Sequence, residues 1–223
     1  MYRRRRGAPL SEQTPSEQTP SEQIRSDLAP ASAASEKIQL RKRMRAQRRQ
    51  LEPLAHAQAA NAVLTHALSR PWFASGKRVA AYWAAGSELS LKPLLVLLLA
   101  RGVLVYLPHV GTEGDMQFLR YHDEASLTLG KHGILAPVSH LGPDRAPRLD
   151  LILLPLLAFD VQGHRLGQGG GYYDRYLQTL AAATPLRVGI AFHFQKVDAV
   201  PAEPFDQMLH AVITDLGVFG FAG

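Results

Sequence analysis

A chain of 223 residues, 46% of them hydrophobic, can bury one substantial core and is short for two. It has no cysteine, which excludes disulfides, thiolate nucleophiles and cysteine-ligated zinc, and accords with a reducing compartment. The net charge of +6 is local: residues 1–50 carry 12 Lys/Arg against 5 Asp/Glu and the rest carry 13 against 14, so the body lacks the spread basic footprint of a nucleic-acid binder.

The first 34 residues form a separate regime. "MYRRRRGAPL" leads into repeated Ser-Glu-Gln-Thr-Pro, which has no apolar residue to bury and is expected to be a disordered basic, low-complexity tail. A domain is expected over residues 35–220. Ser35 can cap a helix, with Glu36 in its first turn and Leu40, Met44 and Leu51 on one side. Lys37, Arg41, Arg45 and Arg48 share another stripe, a pattern most often turned to solvent. A second helix starts after Pro53 and closes near Ser69.

The rhythm then alternates. "RVAAYWA" (78–84) reads as a strand, Ser90 can cap the helix "LKPLLVLLLARG", and strands follow at 103–108 and 116–121. "LDLILLP" (149–155) is apolar throughout its length after Asp150, as a strand covered on both faces requires. A glycine loop comes next, then a helix from about Tyr172 to Ala183, and strands at 187–192 and 210–214. This order argues an α/β single domain with a mainly parallel central sheet flanked by helices. Its ligands are expected at the carboxyl ends of the strands, where the glycine loop falls.

Three constellations bear chemistry. In "RLGQGGGYYDRYL", Gly167, Gly169, Gly170 and Gly171 let backbone amides approach an anion, at the start of a helix. Arg165 adds a fixed charge, and Asp174 suits a magnesium ion shared with phosphate oxygens. Of Tyr172 and Tyr173, one is expected in the core and the other facing a flat ligand. Lys37 and Arg41, one helical turn apart, can reach a polyphosphate together. In "YWAAGSELS", a strand ending in an aromatic is followed by a turn that presents Glu88 on the ligand side. The nine histidines show no zinc spacing, and Walker and Gly-x-Ser-x-Gly motifs are absent.

Together these stretches resemble the 5-formyltetrahydrofolate cyclo-ligase (5,10-methenyltetrahydrofolate synthetase) family. The match is densest in "LILLPLLAFDVQGHRLGQGGGYYDRYL" (151–177), supported by "KIQLRKRM", "YWAAGSELSLKPLL", "LGKHGILAP" and "VPAEPFDQMLHAVIT". The resemblance implies an ATP- and Mg²⁺-dependent ligase. It converts 5-formyltetrahydrofolate to 5,10-methenyltetrahydrofolate with release of ADP and phosphate. It assigns ATP to Lys37, Arg41, Arg165, Gly167, Gln168, Gly169, Gly170, Gly171, Tyr172, Tyr173 and Asp174. The folate falls to Trp83, Glu88 and Tyr172, and Mg²⁺ to Asp174 with Asp206 as a second ligand. No nucleophile or base is required. The expected protein is a cytoplasmic monomer acting on small molecules, without membrane or nucleic acid.

The chain departs from the family pattern at three places. Ala136 stands where a glutamate is usual, Phe205 where histidine often precedes the aspartate, and His210 where a later aspartate is common. Two rival readings stay open at this point: a paralogue of the same fold acting on another small molecule, and an RNA-associated protein using its basic N-terminus. A sugar-phosphate enzyme would need a general base that the sequence does not supply.

Overall fold

Helices and strands alternate much as the sequence predicts. The computed structural model describes residues 32–138, 148–180, 185–203 and 206–221. The helices α1 (Ala33–Arg49) and α2 (Pro53–Leu68) lead into strand β1 (Arg78–Ala80), helix α3 (Lys92–Ala100) and strands β2 (Leu104–Val110) and β3 (Met116–Arg120). Two small hairpins follow: β4 (Leu127–Leu129) with β5 (Leu135–Pro137), and, after strand β6 (Leu151–Pro155), β7 (Ala158–Phe159) with β8 (Arg165–Leu166). Helix α4 (Tyr172–Gln178) and strands β9 (Leu186–Ile190), β10 (Ala211–Thr214) and β11 (Gly217–Gly220) complete the order.

Seven strands form one sheet in the order β11-β10-β9-β6-β1-β2-β3. The five inner strands pair in parallel, and each edge is closed by an antiparallel partner, β11 on β10 and β3 on β2. Alternation along β6 divides the core between the two faces. Leu151 and Leu153 pack with Val63 and Ala67 of α2 and with Leu94, Leu95 and Leu98 of α3. Ile152 and Leu154 face the other way, with Leu177 of α4 and Phe118 of β3. A third cluster seats α1 on the β7–β8 hairpin through Met44, Leu157, Ala158 and Leu166.

Several local expectations shift. Helix α1 begins at Ala33, so Ser35 lies inside its first turn rather than before it. Leu91 holds the N-cap position of α3, while Ser90 Oγ accepts from the Lys92 amide at 3.3 Å. Strand β1 stops at Ala80, because the chain must leave the sheet to form the turn that carries Glu88. Between β6 and the glycine loop stands the β7–β8 hairpin, too short for a periodicity signal. Asp160 organises it, accepting from the Gln162, His164 and Val200 amides at 3.0 Å each. The expected N-terminal tail, Phe205 and the last part of the predicted helix to Ala183 lie outside the described residues.

Candidate active site

Where the carboxyl ends of β1, β2 and β6 meet the glycine loop, a cavity of about 1160 Å³ opens. All fourteen residues expected in the site line it, from Lys37 and Arg41 through Trp83, Glu88 and the 165–174 loop to Asp206. Ala136 lines it too, buried and facing the space from β5.

The basic stripe of α1 is not a solvated face. Met44 anchors the helix on the hairpin, so the side chains flanking it turn inward: Lys37 and Arg48 are buried, whereas Lys42 and Arg43 are exposed. Arg41 Nε donates to the Gly167 carbonyl at 3.0 Å. Arg45 holds the next residue twice, reaching the Gln168 carbonyl at 2.8 Å and its side-chain oxygen at 3.2 Å. Gln168 then donates to Glu88 Oε1 at 2.9 Å, and Glu88 Oε2 accepts from the Ala85 amide at 3.0 Å. A continuous polar chain thus links α1, the glycine loop and the turn after β1.

Two glycines in the loop are required by the backbone itself. Gly169 has φ +104° and lies against the Arg41 guanidinium. Gly171, at φ +67°, begins α4, and a Cβ there would lie 2.7 Å from Arg175 Nη1. Both are conformations that side chains other than glycine resist. Arg175 fastens the loop from outside, donating to the Gly170 carbonyl at 3.0 Å and lying over the Tyr172 ring.

Charges inside the cavity are paired asymmetrically. Arg165, buried, donates to Asp174 Oδ1 at 2.5 Å, and its Nε has no hydrogen-bond partner among the described residues. Lys37 Nζ sits between Glu203, at 2.5 Å, and Asp206, at 2.9 Å. Burial works against the Lys37 charge, but hydrogen bonds to Glu203 and Asp206 outweigh it and hold the ammonium above the ordinary lysine range. The two tyrosines are both half-buried and both line the cavity, but their contacts differ. Tyr173 packs on Phe118, and burial, aided by the Glu88 charge, pushes its phenol far up. Tyr172 meets His132, whose Nε2 lies 3.0 Å from the phenol oxygen. His132 takes a left-handed φ of 61°, unusual for a residue with a side chain, at the tip of the β4–β5 hairpin.

Arg45, Arg48, Glu203 and His132 line the cavity without having been singled out from the sequence. For the arginines a signal existed, since their spacing continues the Lys37–Arg41 stripe. Glu203, three residues before Asp206, gave none.

Comparison with known proteins places these features in context. The family model described as 5-formyltetrahydrofolate cyclo-ligase family matches residues 33–215. The chain is 35% identical over 180 residues to the 5-formyltetrahydrofolate cyclo-ligase of Haemophilus influenzae, covering 78% of this chain and 95% of that protein. It is 35% identical over 175 residues to that of Escherichia coli K12, covering 77% and 96%. Among solved structures, Aquifex aeolicus 5,10-methenyltetrahydrofolate synthetase superposes with a TM-score of 0.73 at 31% identity, over 84% of this chain and 93% of that one. The Mycoplasma pneumoniae synthetase gives 0.62 at 26% identity, over 80% and 98%.

Proposed function

The chain belongs to the 5-formyltetrahydrofolate cyclo-ligase family, and from that premise we propose how its residues serve ATP-dependent closure of 5-formyltetrahydrofolate to 5,10-methenyltetrahydrofolate. The observation that carries the assignment is one cavity lined by two unlike groups of side chains. A glycine loop ringed by Arg41, Arg45 and Arg165 forms one, and a carboxylate beside an aromatic, Glu88 and Trp83, forms the other. Phosphates suit the first, and a flat heterocycle bearing N–H groups suits the second.

The chemical difficulty is the formyl oxygen, which leaves poorly. Transfer of the γ-phosphoryl group to that oxygen breaks the bond to ADP and leaves an electrophilic carbon. Attack by the substrate's own N10 closes the ring, and the carbon–oxygen bond breaks to release phosphate. Such chemistry asks the protein for positioning and charge stabilisation rather than a nucleophile. In this chain Arg41 and Arg45 fix the loop, Arg165 presents its cation to the phosphates, and Glu88 with Trp83 and Tyr172 orients the folate.

The donor set fits a magnesium ion that arrives with the nucleotide. Mg²⁺ takes one or two carboxylates together with phosphate oxygens and water. Asp174 keeps Oδ2 clear of its Arg165 contact, Asp206 is a second carboxylate on the same cavity, and no preformed three-ligand cluster occurs among the described residues. The ion would supply charge neutralisation at the phosphates, held by Asp174 with Asp206 behind it.

We further assign a cytoplasmic monomer that needs no nucleic acid or membrane. No helix of the described residues is long and apolar enough to cross a membrane. Of the basic residues the RNA reading would use, Arg41, Arg45 and Arg48 line the cavity instead, and the Arg3–Arg6 run lies outside the described residues.

The test mixes purified protein with (6S)-5-formyltetrahydrofolate, ATP and Mg²⁺ and follows the near-ultraviolet absorbance of the methenyl product. A rise that needs ATP supports the reading. A flat trace from folded protein that binds ATP would mean that the substrate differs, and would turn attention to Ala136.

A further inference from the structure

Arg48 is the anomaly of the cavity wall. Its relative exposure is 4%, yet its Nε has no hydrogen-bond partner among the described residues, and no carboxylate there forms an ion pair with it. Its backbone is engaged, the carbonyl lying 3.3 Å from His56 Nε2, but its Nε is left without an acceptor. A buried N–H without an acceptor is unfavourable, and native interiors leave few such groups unmatched. The neighbouring side chains explain where a partner would enter. Tyr82 spends its hydroxyl on the Leu89 carbonyl at 2.7 Å, and Glu88 is held by Gln168 and Ala85. Trp83 and His56 line the same cavity.

Resting on the reading above, we infer that Arg48 is a substrate-binding residue for the folate, donating to the 4-oxo oxygen of the pterin while Glu88 accepts from N3–H and the 2-amino group. Several facts select this ligand edge. The phosphates are gripped seven residues earlier on α1, where Arg41 meets Gly167, and seven residues of helix span roughly 10 Å. Glu88 lines the same cavity as Arg48 and disfavours another anion, so the matching group is neutral, with an acceptor oxygen next to N–H donors. Glu88 has the capacity, because each oxygen accepts only one hydrogen bond so far and a carboxylate oxygen has room for two. An amino group in place of the 4-oxo group would set N–H against N–H and leave the guanidinium unmatched, which a hydrogen-bonding pocket rejects strongly.

The adenine edge, a ring nitrogen acceptor beside an amino donor, also fits this pattern, and the experiment separates the two. Binding of 5-formyltetrahydrofolate and of its 4-amino analogue is measured on the full chain by calorimetry, alongside turnover with ATP and GTP. Wild type is expected to prefer the 4-oxo ligand, and Arg48→Met to weaken 4-oxo binding about tenfold or more, narrowing that preference, with the KM for ATP little changed. Arg48→Lys, which retains the charge, should recover part of the affinity. It also provides the measurement if the methionine variant does not fold. Loss of ATP-over-GTP preference with folate binding unchanged would move Arg48 to the nucleotide and overturn the proposal. Unchanged ligand binding in both variants would overturn it as well, leaving Arg48 a structural residue. Wild type failing to bind 5-formyltetrahydrofolate would instead overturn the reading on which the inference rests.

Discussion

Arg165 and Asp174 meet at 2.5 Å across the glycine loop, so the strand that enters the loop and the helix that leaves it are joined at the point where phosphates would lie. The pair has different exposures: the Arg165 side chain is 4% exposed and that of Asp174 26%. Arg165 is therefore fixed from behind, while Asp174 is open to a ligand.

That asymmetry predicts different losses. Arg165→Ala should raise the KM for ATP roughly ten- to hundredfold, the size expected for a hydrogen bond to a charged group. Asp174→Asn retains the shape and one acceptor but not the charge, so its deficit should appear in turnover and diminish as Mg²⁺ is raised. Steady-state kinetics at limiting ATP and limiting Mg²⁺ distinguish the two. Unaltered kinetics in both variants would remove the loop from the nucleotide site.

His210 yields a prediction in pH. Its Nδ1 accepts from the Arg187 amide at 2.9 Å, which requires an unprotonated nitrogen there. Burial, with the Arg187 charge second, holds the imidazole below the ordinary histidine range. The unfolded chain therefore takes up the proton more readily than the native one. The stability due to neutral His210 is fully present above the ordinary value of about 6.5 and is lost as pH falls through the lowered native value. His210→Asn retains an acceptor for the Arg187 amide and cannot titrate. Urea melts between about pH 5 and 7.5 should show an acid-side decline in wild type that is smaller in this variant. Parallel declines would assign the effect to other groups.

The sheet was readable because its strands are short apolar runs between helical patterns, as in 149–155, and the glycine loop because positive φ at Gly169 and Gly171 demands that composition. The orientation of the α1 stripe was not. Lys37, Arg41, Arg45 and Arg48 read the same whether water or a cavity faces them, and only the seating of Met44 on the β7–β8 hairpin decides. The hairpin itself consists of two-residue strands held by Asp160, too brief for periodicity. Lys37 and Asp206 could each be matched to a role, yet their pairing spans 169 positions and is fixed by tertiary structure alone.

That pairing makes a last prediction, because Lys37 already commits two of its three N–H donors to carboxylates that compete with a phosphate for it. Its side chain is 9% exposed, and the oxygens of Glu203 and Asp206 both lie within 3 Å of Nζ. Lys37→Met leaves two carboxylates facing each other without a cation and should destabilise the protein by roughly 1–3 kcal/mol, below the full value for a buried pair because Glu203 is 42% exposed. Glu203→Gln should cost less, since Asp206 still holds the ammonium, and it loosens one of the two grips on Lys37. If ATP recruits Lys37, the variants part in kinetics: Lys37→Met raises the KM for ATP, and Glu203→Gln leaves it unchanged or lowers it. A double-mutant cycle by thermal melts with and without nucleotide measures both effects. A rise in KM for the glutamine variant as large as for the methionine variant would show that Glu203 serves the nucleotide itself and not as a counter-charge released on binding.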